Sequence, residues 1–106
     1  MTAAEDYVSS SAWVSHLVLA EALWVLESVY EVPHPRRVTA VELLLDHETL
    51  VLQEPEVVAA ALGAFRGHPK LSFSDCLVLE IARKAGHLPL GTFDKALSKQ
   101  PGAGRI

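Results

Sequence analysis

Glu21, Asp75 and Asp94 stand where this chain has least reason to place charge. Glu21 interrupts the apolar run Leu17–Leu26, Asp75 opens the largely apolar stretch Cys76–Ala82, and Asp94 closes Leu88–Asp94, which reads as a short strand entering a helix. An ionised carboxylate in apolar surroundings is costly unless a cation or hydrogen-bond donors compensate it. Three such groups converging in space would repel one another and together ask for a metal ion.

Each carboxylate also has a local reading. Ser72-Phe73-Ser74-Asp75 fits a capping box, in which the acid at the third helical position bonds back to the N–H of the cap residue. Asp94, just after Thr92, suits the positive end of a helix dipole. Glu21 is mid-helix and has no cap to serve, so its local alternative is an ion pair with Arg36, Arg37 or Lys95.

The elements that must position these groups follow from patterning and punctuation. Ala12-Trp13-Val14 reads as a short strand, and Ser15 or His16 then starts a helix from Leu17 to Tyr30, apolar on nearly all sides and therefore expected to be buried. Pro33 and Pro35 stop it. A second helix is expected from Arg36 or Arg37 to His47, with Val38, Val41, Leu44 and Leu45 on one face, and a strand over Thr49–Leu52. Pro55 sits at a first helical position with Gln53 or Glu54 capping, and Gly67 lies past the end of that helix. Ser72 or Ser74 caps a helix that ends at Gly86, with Arg83 and Lys84 in its last turn. A strand over Leu88–Leu90, a short helix from Phe93 to Lys99 and a Pro-Gly turn complete the chain.

This order predicts an α/β domain with a mostly parallel sheet, in which ligands gather at the carboxyl ends of the strands. Ser15 follows the first strand and Asp94 the last. Glu21, about one turn beyond Ser15, and Asp75, in the first turn of its helix, are expected to face the same crevice.

A chain of 106 residues predicts one domain over 1–106 with one core. Half of its residues are apolar and the mean hydropathy is +0.25, which excludes a disordered chain. No apolar run reaches the ~18 residues of a membrane span, and the N-terminus has no basic region followed by an apolar one, so a cytoplasmic protein is expected. Cys76, the sole cysteine, cannot form an internal disulfide and is expected to be a buried thiol. The histidines (His16, His34, His47, His68, His87) lack metal-ligand spacing, and Trp13 and Trp24 are assigned to core packing rather than to stacking on bases. No Ser/His/Asp arrangement, Gly-rich phosphate loop or zinc spacing is present. The net charge of −4 conceals a segregation. Residues 1–62 carry ten acids against Arg36 and Arg37, whereas residues 63–106 carry three acids against seven bases. The overall acidity argues against tight nonspecific binding to nucleic acid, while the basic third leaves room for a local phosphate contact.

Three segments, in this order, carry a resemblance. Val18-Leu19-Ala20-Glu21-Ala22-Leu23-Trp24-Val25-Leu26, Phe73-Ser74-Asp75-Cys76-Leu77 and Thr92-Phe93-Asp94-Lys95-Ala96-Leu97 resemble the PIN domain, and within it the toxin ribonucleases of bacterial VapBC toxin–antitoxin modules. The resemblance implies a three-layer α/β/α fold and a Mg²⁺- or Mn²⁺-dependent endoribonuclease acting on RNA. Glu21, Asp75 and Asp94 match its metal-binding and catalytic carboxylates, with Thr92 in a supporting position; Ser15, after the first strand, is a further supporting candidate. In such a site hard carboxylate oxygens hold an ion that polarises water and stabilises charge on the phosphate. An antitoxin is the partner the resemblance implies. The resemblance also implies an earlier central strand carrying a first aspartate. Nothing before Ala12 reads as that strand, Asp6 is a poor substitute, and Ser72 stands where many relatives carry another acid. The chain therefore reads as an N-terminally shortened member with impaired catalysis, closing an open slot in its sheet as a dimer or larger assembly. The alternative is a non-catalytic remnant acting as a protein-interaction module.

Overall fold

The computed structural model describes residues 12–92 and 94–106, which form five helices and four short strands. Strand β1 (Ala12–Val14) leads into α1 (His16–Ser28). Helix α2 (His34–Leu45) and strand β2 (Leu50–Leu52) follow, then α3 (Pro55–Gly67) and α4 (Phe73–Ala85). Strand β3 (Leu90–Thr92), the single-turn helix α5 (Lys95–Ser98) and strand β4 (Ala103–Arg105) end the chain. The fold is mixed α/β with parallel strands, as the element order predicts.

Local chemistry sets most boundaries. Ser15 caps α1, its Oγ accepting from the Val18 N–H at 3.1 Å, and Ser72 caps α4, its Oγ accepting from the Asp75 N–H at 3.2 Å. Pro55 occupies the first turn of α3, where a missing N–H costs nothing. Gly86 closes α4 in the left-handed conformation (φ 77°), which a residue lacking Cβ adopts freely.

Several expectations need correction. Pro35 does not end a helix but sits in the first turn of α2, so α2 begins at His34 rather than at Arg36. Glu54 is the cap residue of α3, one of the two expected, but its side chain makes no bond to the helix. Its carboxylate pairs instead with Lys84 at 2.7 Å, and the Gln53 amide accepts from the His16 N–H at 2.8 Å. The third strand lies at Leu90–Thr92 rather than Leu88–Leu90, and β4 was not anticipated at all.

The sheet is divided. Among the described residues β1 pairs in parallel with β2, β3 pairs in parallel with β4, and the two pairs are separate. In β1 the bonds to the β2 side run from the Ala12 N–H to Thr49 and from the Gln53 N–H to Val14. The alternation of a parallel ladder therefore turns the peptide groups of Trp13 to the other edge. By the same alternation Gly91 of β3 faces away from β4, because Leu90 and Thr92 make the bonds on that side.

The core is built mainly by helices. Leu19 and Leu23 of α1, Val41 of α2, Val58 and Phe65 of α3, and Phe73 and Leu77 of α4 are buried together. Phe65 is its hub: it makes edge contacts with His34 and Phe73 at centroid distances of 4.6 and 5.6 Å, and its ring lies 5.6 Å from the Arg37 guanidinium. Two tryptophans assigned to this core are outside it. Trp13 and Trp24 are each 60% exposed. Helix α1, expected to be buried all round, presents Leu17, Val18 and Trp24 to solvent, because α4 and α2 pack against its other side.

Candidate functional site

Helices α1 and α4 pack against each other and frame a groove of about 260 Å³ between Leu17 and Ala20 on one wall and Ser74, Leu77 and Val78 on the other. Glu21 follows directly on Ala20, and Asp75 directly on Ser74. Both carboxylates are thus carried by helices bordering one groove. Glu21 is exposed and Asp75 half-buried.

Asp94 stands elsewhere, between β3 and α5. It is exposed, and its Oδ1 accepts from the Leu97 N–H at 2.7 Å, capping α5. Its own N–H donates to Thr92 Oγ1 at 3.0 Å, so the supporting hydroxyl fixes the backbone that presents the carboxylate. Ser15 is engaged as the α1 cap. Phe93, between Thr92 and Asp94, lies outside the described residues, as does Asp6.

The local alternatives fare unequally. For Asp75 half of the expected capping box is formed: Ser72 accepts from the Asp75 N–H, and the Asp75 carboxylate makes no return bond among the described residues. None of the ion pairs considered for Glu21, with Arg36, Arg37 or Lys95, is made among the described residues, and Arg37 is taken by Glu27 at 2.8 Å. Glu21 is in no ion pair among the described residues.

Among the described residues no three His, Cys, Asp or Glu side chains stand close enough together to hold a metal ion. Glu21, Asp75 and Asp94 do not converge in this arrangement, and no ion can be assigned to them as they stand. The fold supplies a reason: Asp94 follows β3 and caps α5, Glu21 lies on the helix that follows β1, and among the described residues no strand pairing joins β1–β2 to β3–β4.

Sequence reading missed two charged features. Lys84, near the end of α4, binds Glu54 and Glu56, and Glu54 Oε1 lies 4.0 Å from Nδ1 of the buried His16, so one network ties α1, α3 and α4 together. The Lys84 hydrogen bond holds the Glu56 carboxyl below its ordinary range, and the two carboxylates raise the Lys84 ammonium above its own. The second feature is a pocket of about 350 Å³ between the Gly67–Leu71 turn and α5, rimmed by Lys70 and Lys99. The segregation of bases into residues 63–106 was the available signal for it.

Cys76 is a buried free thiol, as expected, and burial together with the neighbouring charge of Asp75 pushes its pKa up to about 11. No helix among the described residues is long and apolar enough to cross a membrane. The protein-family model described as PIN domain matches residues 2–103. Neither the curated proteins nor the solved structures compared with the chain gave a match.

Proposed function

The chain belongs to the PIN domain family, and from that premise we propose that it is a metal-dependent endoribonuclease domain in which Glu21, Asp75 and Asp94 are the metal-binding and catalytic carboxylates. The observation that carries this reading is the extent of the family match, which spans all three carboxylates in order. Nuclease function in general follows from the family. The finer elements are ours: Mg²⁺ or Mn²⁺ as cofactor, RNA as substrate, Thr92 and Ser15 as supporting groups, and residues 1–106 acting as one unit. A cytoplasmic toxin of a type II toxin–antitoxin pair, with an antitoxin as partner and a homodimer or larger assembly as its state, completes the proposal.

Because the three carboxylates stand apart in the isolated chain, low intrinsic turnover is part of this reading, and no catalytic step is assigned to an ion. The test is cleavage of RNA in Mg²⁺ or Mn²⁺ by the wild-type chain and by Asp94→Asn. Cleavage that depends on the metal and falls with the substitution supports the assignment. Cleavage indifferent to Asp94→Asn removes it.

Two observations favour a second reading, a non-catalytic interaction module: the carboxylates do not converge, and α1 offers an apolar face to solvent. On this reading the wild-type chain cleaves no RNA with either metal at any protein concentration, yet binds a partner through that face.

A further inference from the structure

The pocket between the Gly67–Leu71 turn and α5 combines an apolar floor with a basic rim. Leu71, which is buried, and Ala96, which is half-buried, form the floor. Lys70 and Lys99 stand at the rim, both exposed, beside His68 and Gln100. Of the five other bases in residues 63–106, Arg66 pairs with Glu42, Arg83 with Glu80, and Lys84 with Glu54 and Glu56, whereas Lys95 and Arg105 are in no ion pair among the described residues and do not line this pocket. Lys70 and Lys99 have no acidic partner among the described residues. The His68 ring is oriented, because its Nδ1 donates to the Ala64 carbonyl at 2.7 Å, and Nε2 is left for a ligand. Uncompensated positive charge over an apolar floor suits a ligand that joins a flat, weakly polar ring to an anion.

Chain connectivity keeps this pocket near Asp94 and bounds its distance from Asp75. Leu71 precedes Asp75 by four residues and Ala96 follows Asp94 by two, so even a fully extended chain keeps the floor within about 14 Å of one and about 7 Å of the other. The turn that walls the pocket runs directly into the cap of α4, and α5, which supplies the opposite wall, is the helix that Asp94 caps.

Resting on the ribonuclease reading, we propose that this pocket seats one nucleotide of a single-stranded RNA, its base on Leu71 and Ala96 and its flanking phosphates on Lys70 and Lys99. The pocket positions the strand beside the carboxylates and takes no part in bond cleavage. It supplies the cation that an acidic site lacks: an acid-rich surface repels RNA, and two uncompensated lysines next to it offset that repulsion locally.

The experiment is a titration of the full chain with a fluorescein-labelled single-stranded hexaribonucleotide in EDTA, followed by anisotropy at several salt concentrations. Wild type binds, and Lys70→Gln/Lys99→Gln weakens binding about tenfold and lowers the slope of log K against log salt by about 1.4, the value for two single-strand phosphate contacts. Both side chains are exposed and in no ion pair among the described residues, so thermal melting of the double variant stays at the wild-type value. Asp94→Asn, which removes a repelling charge next to the pocket, binds the hexamer at least as tightly as wild type while its cleavage in Mg²⁺ falls on the order of 100-fold, which separates failure of the pocket from failure of the nuclease assignment. The pocket assignment is overturned if the wild-type chain does not bind the hexamer, or if the double variant keeps wild-type affinity and salt slope. It is equally overturned if a ribose-phosphate hexamer without bases binds as tightly, or if polyglutamate displaces the hexamer, which would point to an acidic peptide instead.

Discussion

A carboxylate that caps a helix and one that binds a cation use the same oxygens, so Asp94 has to be tested with a substitution that separates the two tasks. Asparagine caps a helix about as well as aspartate does, whereas alanine costs about 1 kcal/mol. Asp94→Asn keeps the bond to the Leu97 N–H and removes the charge. The expected outcome is wild-type melting with RNA cleavage lowered on the order of 100-fold, the scale for loss of one electrostatic group at a reacting phosphate. Asp94→Ala lowers both. Cys76 supplies a second test at this scale. Burial disfavours its thiolate and raises the pKa from 9.0 to about 11. A group whose folded pKa is raised contributes stability that is complete below its unfolded value and is lost as pH rises through the folded one. Thermal melting should therefore fall between pH 9 and pH 11 in wild type, and fall less in Cys76→Ala. At pH 8 a disulfide reagent should leave Cys76 unmodified until denaturant is added.

Helix ends were legible from the sequence because their causes are local. Ser15, Ser72, Pro55 and Gly86 act on backbone groups within one turn, and each does in the structure what its residue type implies. Ser72→Ala should accordingly cost about 1 kcal/mol in urea unfolding, the usual loss for a serine cap. Partners far apart in sequence were not legible. Glu54 is drawn from the α3 cap by Lys84, thirty positions later, and takes a left-handed backbone (φ 42°) there. Strand β4 is the glycine-containing Ala103-Gly104-Arg105, which has no alternation to recognise and exists through its register with Leu90–Thr92. The three carboxylates could be picked out singly as misplaced charges, and their order in the family was readable. Their separation in space was not, because it depends on two strand pairs that are not joined. At this scale Phe65 carries most weight. It is fully buried, joins α2, α3 and α4, and its carbonyl accepts from His34 Nε2 at 2.6 Å. Phe65→Ala should destabilise the fold by about 3–5 kcal/mol.

For the whole molecule the unexplained quantity is exposed apolar surface. On α1, Leu17, Glu21 and Trp24 recur at helical spacing on one solvent-facing stripe, with Val18 beside it. On the strands, Trp13 pairs in register with Val51, and both are more than half exposed. Monomeric proteins rarely leave large contiguous apolar patches uncovered, and each tryptophan can bury about 150–250 Å². The proposed homodimer closes the open edge of β1, where the Trp13 peptide groups turn away from β2, and covers the exposed Trp13–Val51 pair, leaving Glu21 accessible. Burial of an uncompensated carboxylate is costly, so Trp13→Glu should abolish assembly, whereas Glu21→Gln should leave it unchanged. Size-exclusion chromatography with light scattering at tens of micromolar is expected to give a dimer or larger mass for wild type and for Glu21→Gln, and a monomer for Trp13→Glu. Tryptophan emission should shift to the red as wild type is diluted through the dissociation range. A wild-type chain that stays a monodisperse monomer at tens of micromolar removes the assembly and leaves the α1 face for a different partner.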